Sequence, residues 1–337
     1  MEIWKKVQDH TPTIARSPHL QSPMIPSPRL TTNLAGIELA TPVVLAAGTA
    51  GVLDEMSDVL RLDRIGAIVT KSITRAPRQG NAFPRITFTQ AGMLNAIGLA
   101  NPGLDAFVAD IAPRIARVPA AIIGSIAGDS VEDYLAIAQA MDAIEGLGII
   151  ELNVSCPNVH SGLEFGADPD ALGELVSAVS GSLNDTKVFV KLSPITIGTP
   201  YTIVDLAQTA IDAGAQGLTL TNTVPAMGID VHTQKPILSN TIGGLSGPAI
   251  HPIVVRLVHL VYAQVAKDTG VPIMAAGGVT RWQDAAEFIL AGASAVQIGA
   301  GSFANPRTAV KVTKGLEKWV ARMGKPNVSE LIGTVIV

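Results

Sequence analysis

From residue 34 onward, short β-branched runs alternate with longer Ala- and Leu-rich stretches of helical period, whereas residues 1–33 hold to neither period and are rich in Pro, Ser and Thr. Alternation of this kind is the mark of repeated βαβ units. The runs fall at 42–47, 67–71, 120–126, 148–154, 187–192, 217–222, 271–276 and 295–299. Helical periods over 131–144, 169–182, 203–213, 250–267 and 282–291 sit between consecutive runs, as parallel strands require. The pattern predicts an α/β fold: a (β/α)8 TIM barrel over 34–337, with 1–33 as an N-terminal extension lying on or near it.

Two connections are too long for a loop and one helix. Residues 72–119, with a helix expected near 104–115, and residues 223–248 are dense in Gly, Pro and Asn. Both leave the C-terminal ends of strands, where barrel enzymes build their sites. Most of the runs also end on a polar residue or a glycine, namely Gly48, Lys71, Asn153, Lys191, Asn222, Gly277 and Gly299. A doubly wound sheet, the competing architecture, would gather such residues only near its switch point.

Composition narrows the partners. Hydrophobic residues make up 47% of the 337 and charged residues 15%, enough to cover central strands on both faces. The net charge of −4 gives no electrostatic reason to expect nucleic acid or an anionic membrane. With one cysteine, the chain can form no internal disulfide and cannot by itself ligate an iron–sulfur cluster. No apolar run has the form of a signal peptide or membrane span, so the expected compartment is the cytoplasm. The six histidines show neither metal-ligand spacing nor an accompanying carboxylate cluster, and no metal is expected.

Several residues could carry chemistry. A lone cysteine is ordinarily an inert buried thiol. Cys156, however, follows the fourth run among Asn153, Ser155, Pro157 and Asn158, polar company that an apolar core would have to satisfy at a cost. Lys71 and Lys191 close two β-branched runs; each could snorkel to water, or the two could together neutralise a carboxylate, a phosphate or an anionic ring. Gly277–Gly278 and Gly299–Ala300–Gly301 could be ordinary turns. They also follow strands seven and eight, the usual phosphate site of barrels, where backbone N–H groups approach the ligand closely. A cofactor-free Schiff-base lyase using Lys71 or Lys191 remains an alternative, as does a non-catalytic flavin-carrying subunit.

In order, KSIT at 71–74, GMLNAIGLANPGL at 92–104, ELNVSCPNV at 151–159, VKLSP at 190–194, LTNT at 220–223, GGLSGPAI at 243–250 and AAGGV at 275–279 resemble the dihydroorotate dehydrogenases. The likeness is greatest to the catalytic subunit of the NAD-linked class 1B enzymes; the fumarate-linked class 1A members share the cysteine. The resemblance implies oxidation of (S)-dihydroorotate to orotate in pyrimidine (UMP) biosynthesis, with FMN as cofactor and Cys156 as the base. It implies FMN contacts from Thr49, Lys71, Ser72, Ser125, Asn153 and Lys191, and from Thr221, Gly247, Gly277, Gly278, Gly299 and Ala300. It implies substrate contacts from Lys71, Asn95, Ala96, Ile97, Gly98 and Leu99, and from Asn153, Asn158, Asn222 and Thr223. Ser125 and Thr221 stand where NAD-linked relatives usually carry Asn and Ile. The partners it implies are a second copy of the chain and, in a heterotetramer, a subunit carrying FAD and a [2Fe–2S] cluster that passes electrons to NAD.

Overall fold

The computed structural model describes residues 27–154, 165–195 and 199–337. Eight parallel strands close into a barrel in chain order: β1 Val43–Leu45, β2 Ala67–Val69, β3 Ala121–Ile126, β4 Leu147–Asn153, β5 Lys187–Leu192, β6 Gly217–Leu220, β7 Ile273–Ala276 and β8 Ala295–Ile298. Each lies within or across one of the expected runs. Several are shorter at the C-terminal end, because Lys71, Asn222 and Gly299 lie just past the last paired residue.

A period of two along each strand separates two apolar layers. Val43, Leu45, Ile68, Ile122 and Leu152 face outward, into the core shared with the helices. Val44, Ala67, Val69, Ile123, Ile149, Phe189, Met274 and Ala295 face inward and fill the barrel. Below them Leu34 and Leu39, from the hairpin Thr32–Leu34 and Ile37–Leu39, close the base. Lys71, Ser125, Asn153, Lys191, Thr221 and Gly299 have the same parity as this inward set, so the register that buries the filling below delivers polar groups to the mouth above.

The helices are α1 Val131–Asp142, α2 Pro169–Ser182, α3 Ile203–Asp212, α4 His251–Val261, α5 Trp282–Ala291 and α6 Thr308–Arg322. Their starts follow capping chemistry: the Ser130 hydroxyl accepts from Asp133 N at 3.3 Å, and Thr202 and Asp205 form a capping box. The expected helix over 250–267 is present but passes through a π turn at Tyr262–Ala266. The one near 104–115 is an α turn, a π turn and a 3-10 segment in succession. Pro248–Thr269 is long and apolar enough by composition to cross a membrane. Here it is barrel wall, with Val254, Val258 and Val261 in the core.

The two insertions pair with each other. Val224–Met227, Ile242–Ser246, Gly92–Asn95 and Ile86–Thr89 form a four-stranded antiparallel sheet in that order. The joining register sets Gly244 against Asn95 and Ser246 against Met93, and Leu94, Ala96 and Leu238 form a small core of its own.

Candidate active site

The mouth of the barrel carries a continuous chain of hydrogen bonds between strand ends. Ser125 Oγ on β3 lies 2.9 Å from Ser72 Oγ just past β2, and Asn153 Nδ2 at the end of β4 donates to Ser72 Oγ at 3.4 Å. Asn222 Nδ2, past β6, donates to Asn153 Oδ1 at 3.0 Å, while Asn222 Oδ1 accepts from Thr223 N at 2.8 Å. Tyr134 on α1 fixes the end of β4 by donating to the Asn153 carbonyl at 2.7 Å. Ser72, Ser125 and Thr221 are all buried, and burying a hydroxyl is costly unless it is bonded. Ser125 meets that demand through Ser72; Thr221 donates through its hydroxyl to the Asn222 carbonyl at 2.8 Å.

Beneath this ring lies a carboxylate that sequence reasoning passed over. Glu151 on β4 is fully buried, and its Oε2 accepts from Thr219 Oγ1 and from Gln297 Nε2, each at 2.8 Å. Its Oε1 lies 3.6 Å from Lys191 Nζ. The available signal was an acidic residue at inward parity within an otherwise apolar strand. Lys71 differs from Lys191: among the described residues it pairs with no carboxylate. Burial, then the charges of Lys191 and Arg85, hold its ammonium below the usual lysine range. Among the described residues, the mouth and the layer beneath it therefore hold two lysines against one carboxylate, a surplus that suits an anionic ligand.

The glycines after β7 converge with Gly247. Gly278, at φ +70°, could take no side chain: a Cβ there would lie 2.6 Å from the Gly247 carbonyl oxygen and 2.9 Å from His251 Cβ. At Gly277 a Cβ would meet Val254 Cγ2 at 2.7 Å. Gly299, past β8, faces Ala46 and Thr49 instead, its absent Cβ 3.5 Å and 3.7 Å from their side chains, and Ala300 leads into the short helix Gly301–Ala304. Two adjacent loops thus bring backbone without bulky side chains to one side of the mouth, the kind of cradle whose N–H groups can face a phosphate.

The sheet built from the insertions reaches this ring through Thr223. Asn95 Nδ2 donates to the Gly244 carbonyl at 3.3 Å, and Gly244 lies so close to the Thr223 side chain that a Cβ would overlap it. The turn through Ala96, Ile97, Gly98 and Leu99 is tied down from outside: Asn81 bonds the Ala96 and Ile97 carbonyls at 3.0 Å each, and Asn101 the Leu99 carbonyl at 2.7 Å. The hydrogen bonds of residues 96–99 do not reach the ring. Cys156 and Asn158 lie outside the described residues. The expectation that no carboxylates accompany the histidines needs correction. Packing of α4 on α5 brings Asp284 and Glu287 to His251, with one ligand atom of each within 4.8 Å of the others.

A family model described as dihydroorotate dehydrogenase matches residues 29–320, nearly the whole of the barrel and its insertions. The chain belongs to the dihydroorotate dehydrogenase family. Among its relatives, the dihydroorotate dehydrogenase B (NAD(+)) catalytic subunit of Pelobacter propionicus is 44% identical over 309 residues, covering 91% of this chain and 99% of the relative. The same-named subunits of Geobacter sulfurreducens and Bacteroides thetaiotaomicron are 42% identical over 311 residues and 40% over 309; they cover 92% and 91% of this chain and 99% of each relative. Within this dihydroorotate dehydrogenase chain the likeness therefore spans the ring, the lysines and the glycine loops together.

Proposed function

We propose that this chain is the catalytic subunit of an NAD-linked, class 1B dihydroorotate dehydrogenase, oxidising (S)-dihydroorotate to orotate in cytoplasmic pyrimidine biosynthesis. The observation that carries the reading is Lys71. It is a partly buried ammonium without a carboxylate partner among the described residues, at the mouth that also carries the bonded amides of Asn153 and Asn222, in a chain whose relatives bear that name.

Each residue class has a task. Lys71 binds the substrate carboxylate, and Asn95, Asn153, Asn222 and Thr223 orient the ring amides, since amide groups both donate and accept. Cys156, three residues beyond Asn153 in the sequence, takes the proton from C5, a task open to a thiol because nearby cations can tune it towards neutral pH. FMN supplies the two-electron acceptor for the hydride that leaves C6. Gly277, Gly278, Gly299 and Ala300 hold its phosphate, with Gly247 packed beneath, and Thr49, Ser72, Ser125 and Thr221 flank it. Lys191, steadied by Glu151, sets positive charge at the ring.

Residues 34–337 form the catalytic domain and 1–33 the extension. The apolar side chains Phe83, Phe88, Ile229 and Val231 are exposed on and around the insertions, which supports association into a homodimer within a heterotetramer. The partner subunit would carry FAD and a [2Fe–2S] cluster. Anaerobic addition of dihydroorotate to the purified protein tests the reading. Bleaching of a flavin spectrum supports it; a colourless protein, or flavin that dihydroorotate leaves oxidised, overturns it.

A further inference from the structure

We propose that His251 is a positioning residue for phosphate recognition, acting through the carbonyl of Gly277. The inference rests on the reading that the Gly277–Gly278 loop holds the FMN phosphate. His251 Nδ1 lies 2.8 Å from the Gly277 carbonyl oxygen. A carbonyl only accepts, so Nδ1 is the donor, and the tautomer at that nitrogen follows. In a planar trans peptide the C=O and the next N–H point in opposite directions. Drawing the Gly277 carbonyl onto the imidazole therefore turns the Gly278 N–H the other way, out of the helix layer and toward the mouth. Gly278 is at φ +70° and has no side chain to bias that choice, so an outside contact must make it.

The ring is fixed by the Nδ1 contact and by packing. Phe288 packs edge-on against it at 4.8 Å between centroids and 74° between planes. Nε2 lies 3.3 Å from Glu287 Oε2 with no hydrogen bond between them, as two acceptors require, and His251 as a whole is only 9% exposed. His251 Cβ is also one of the atoms a Gly278 side chain would strike, at 2.9 Å, so imidazole, Gly277 carbonyl and Gly278 amide form one packed unit. A metal ion between His251, Asp284 and Glu287 is the competing use of the same atoms. Asp284 argues against it. Its Oδ2 accepts from Thr280 N, Thr280 Oγ1 and Arg281 N at 2.9, 3.0 and 3.0 Å, and its Oδ1 from Arg281 Nε at 2.9 Å, so a cation would have to displace the start of α5.

The test compares FMN with riboflavin, which lacks the phosphate, by quenching of flavin fluorescence on the full apo-chain. The wild type should prefer FMN. His251→Leu should weaken FMN at least about fivefold while riboflavin affinity stays within about twofold, the scale of one well-placed hydrogen bond. His251→Asn should restore FMN affinity, because its amide nitrogen reaches the place of Nδ1. Loss of both flavins alike in His251→Leu, or an unchanged FMN preference, overturns the positioning role. A wild type that binds FMN no better than riboflavin instead overturns the phosphate reading beneath it.

Discussion

Glu151 Oε1 and Lys191 Nζ face each other at 3.6 Å inside the barrel, one layer below the hydrogen-bonded ring of the mouth. Both are nearly excluded from water, and the carboxylate's other oxygen is taken up by Thr219 and Gln297. Replacing Glu151 by Leu leaves the Lys191 charge uncompensated, with Lys71 a second cation close enough to shift. The variant should lose roughly 3 kcal/mol or more of stability, the cost of breaking a buried pair from one side, read by urea unfolding. A change under about 1 kcal/mol would mean that Lys191 turns out to solvent instead.

Lys71 makes ligand binding depend on pH with a defined sign. Burial, Lys191 and Arg85 hold its ammonium below the usual lysine range, and an anion bound beside it favours the charged form. Orotate affinity should be highest where Lys71 is protonated and should fall as pH rises through that lowered value. In Lys71→Gln the affinity should be weaker throughout and this alkaline fall should vanish. Titration calorimetry over the alkaline range checks both, and a fall that persists in the variant removes Lys71 as its cause.

How far the sequence reaches is plain from individual elements. Strand β5 and helices α2 and α5 lie where their apolar periods put them, because each is a local pattern closed by a local cap or turn. Asn153 and Asn222 end β-branched runs, so their place at the mouth followed once the strands were counted. The sheet over the mouth was hidden for the opposite reason: it pairs Gly244 with Asn95, far apart in the chain, through the short glycine-interrupted strands IGGLS and GMLN, in which no period-two signal survives. His251, Asp284 and Glu287 likewise meet only because two helices pack, and neither helix alone marks them.

Asp142, at the end of α1, ties that helix to the start of β5. The Thr186 hydroxyl first, then Asn184 and the Thr186 backbone, hold its carboxyl down to about 2, with Asn184 N at 3.1 Å and Asn184 Nδ2 at 2.9 Å. A depressed carboxylate stabilises above its unfolded value and loses that contribution as pH falls through the folded one. Asp142→Asn should therefore cost about 1 kcal/mol near neutral pH, less than the shift alone implies because solvent screens the group. The gap to wild type should shrink between about pH 4 and pH 2. Equal gaps in acid denaturation curves at both ends would show that the carboxylate charge is not what holds this joint.

Cys156 is tested by the chemistry assigned to it. Cys156→Ala should keep FMN and bind orotate, yet reduce flavin at least about a hundredfold more slowly, the usual scale for losing a general base. Cys156→Ser should be impaired as well, because a hydroxyl is a far weaker acid than a thiol. Stopped-flow flavin reduction separates binding from chemistry. Near wild-type reduction in the alanine variant would assign the proton to another group.

The electron acceptor follows from what this chain can ligate. One cysteine cannot supply the thiolates of an iron–sulfur cluster. Gly299–Ala304 fits a G-x-G-x-x-A pattern, but it follows β8 of a closed barrel and opens a helix of four residues, not the βαβ unit that a dinucleotide fold requires. Among the described residues that pattern therefore offers no dinucleotide site for direct reduction of NAD⁺. Its relatives are named catalytic subunits, which implies a further subunit in their assemblies. The isolated chain should reduce an artificial dye with dihydroorotate and leave NAD⁺ untouched; adding an FAD and iron–sulfur subunit should restore NAD⁺ reduction and give a stable hetero-oligomer by light scattering. Rapid turnover of the isolated chain with fumarate would move it to the fumarate-linked class, while leaving the barrel, the Lys71 site and the role of Cys156 as they stand.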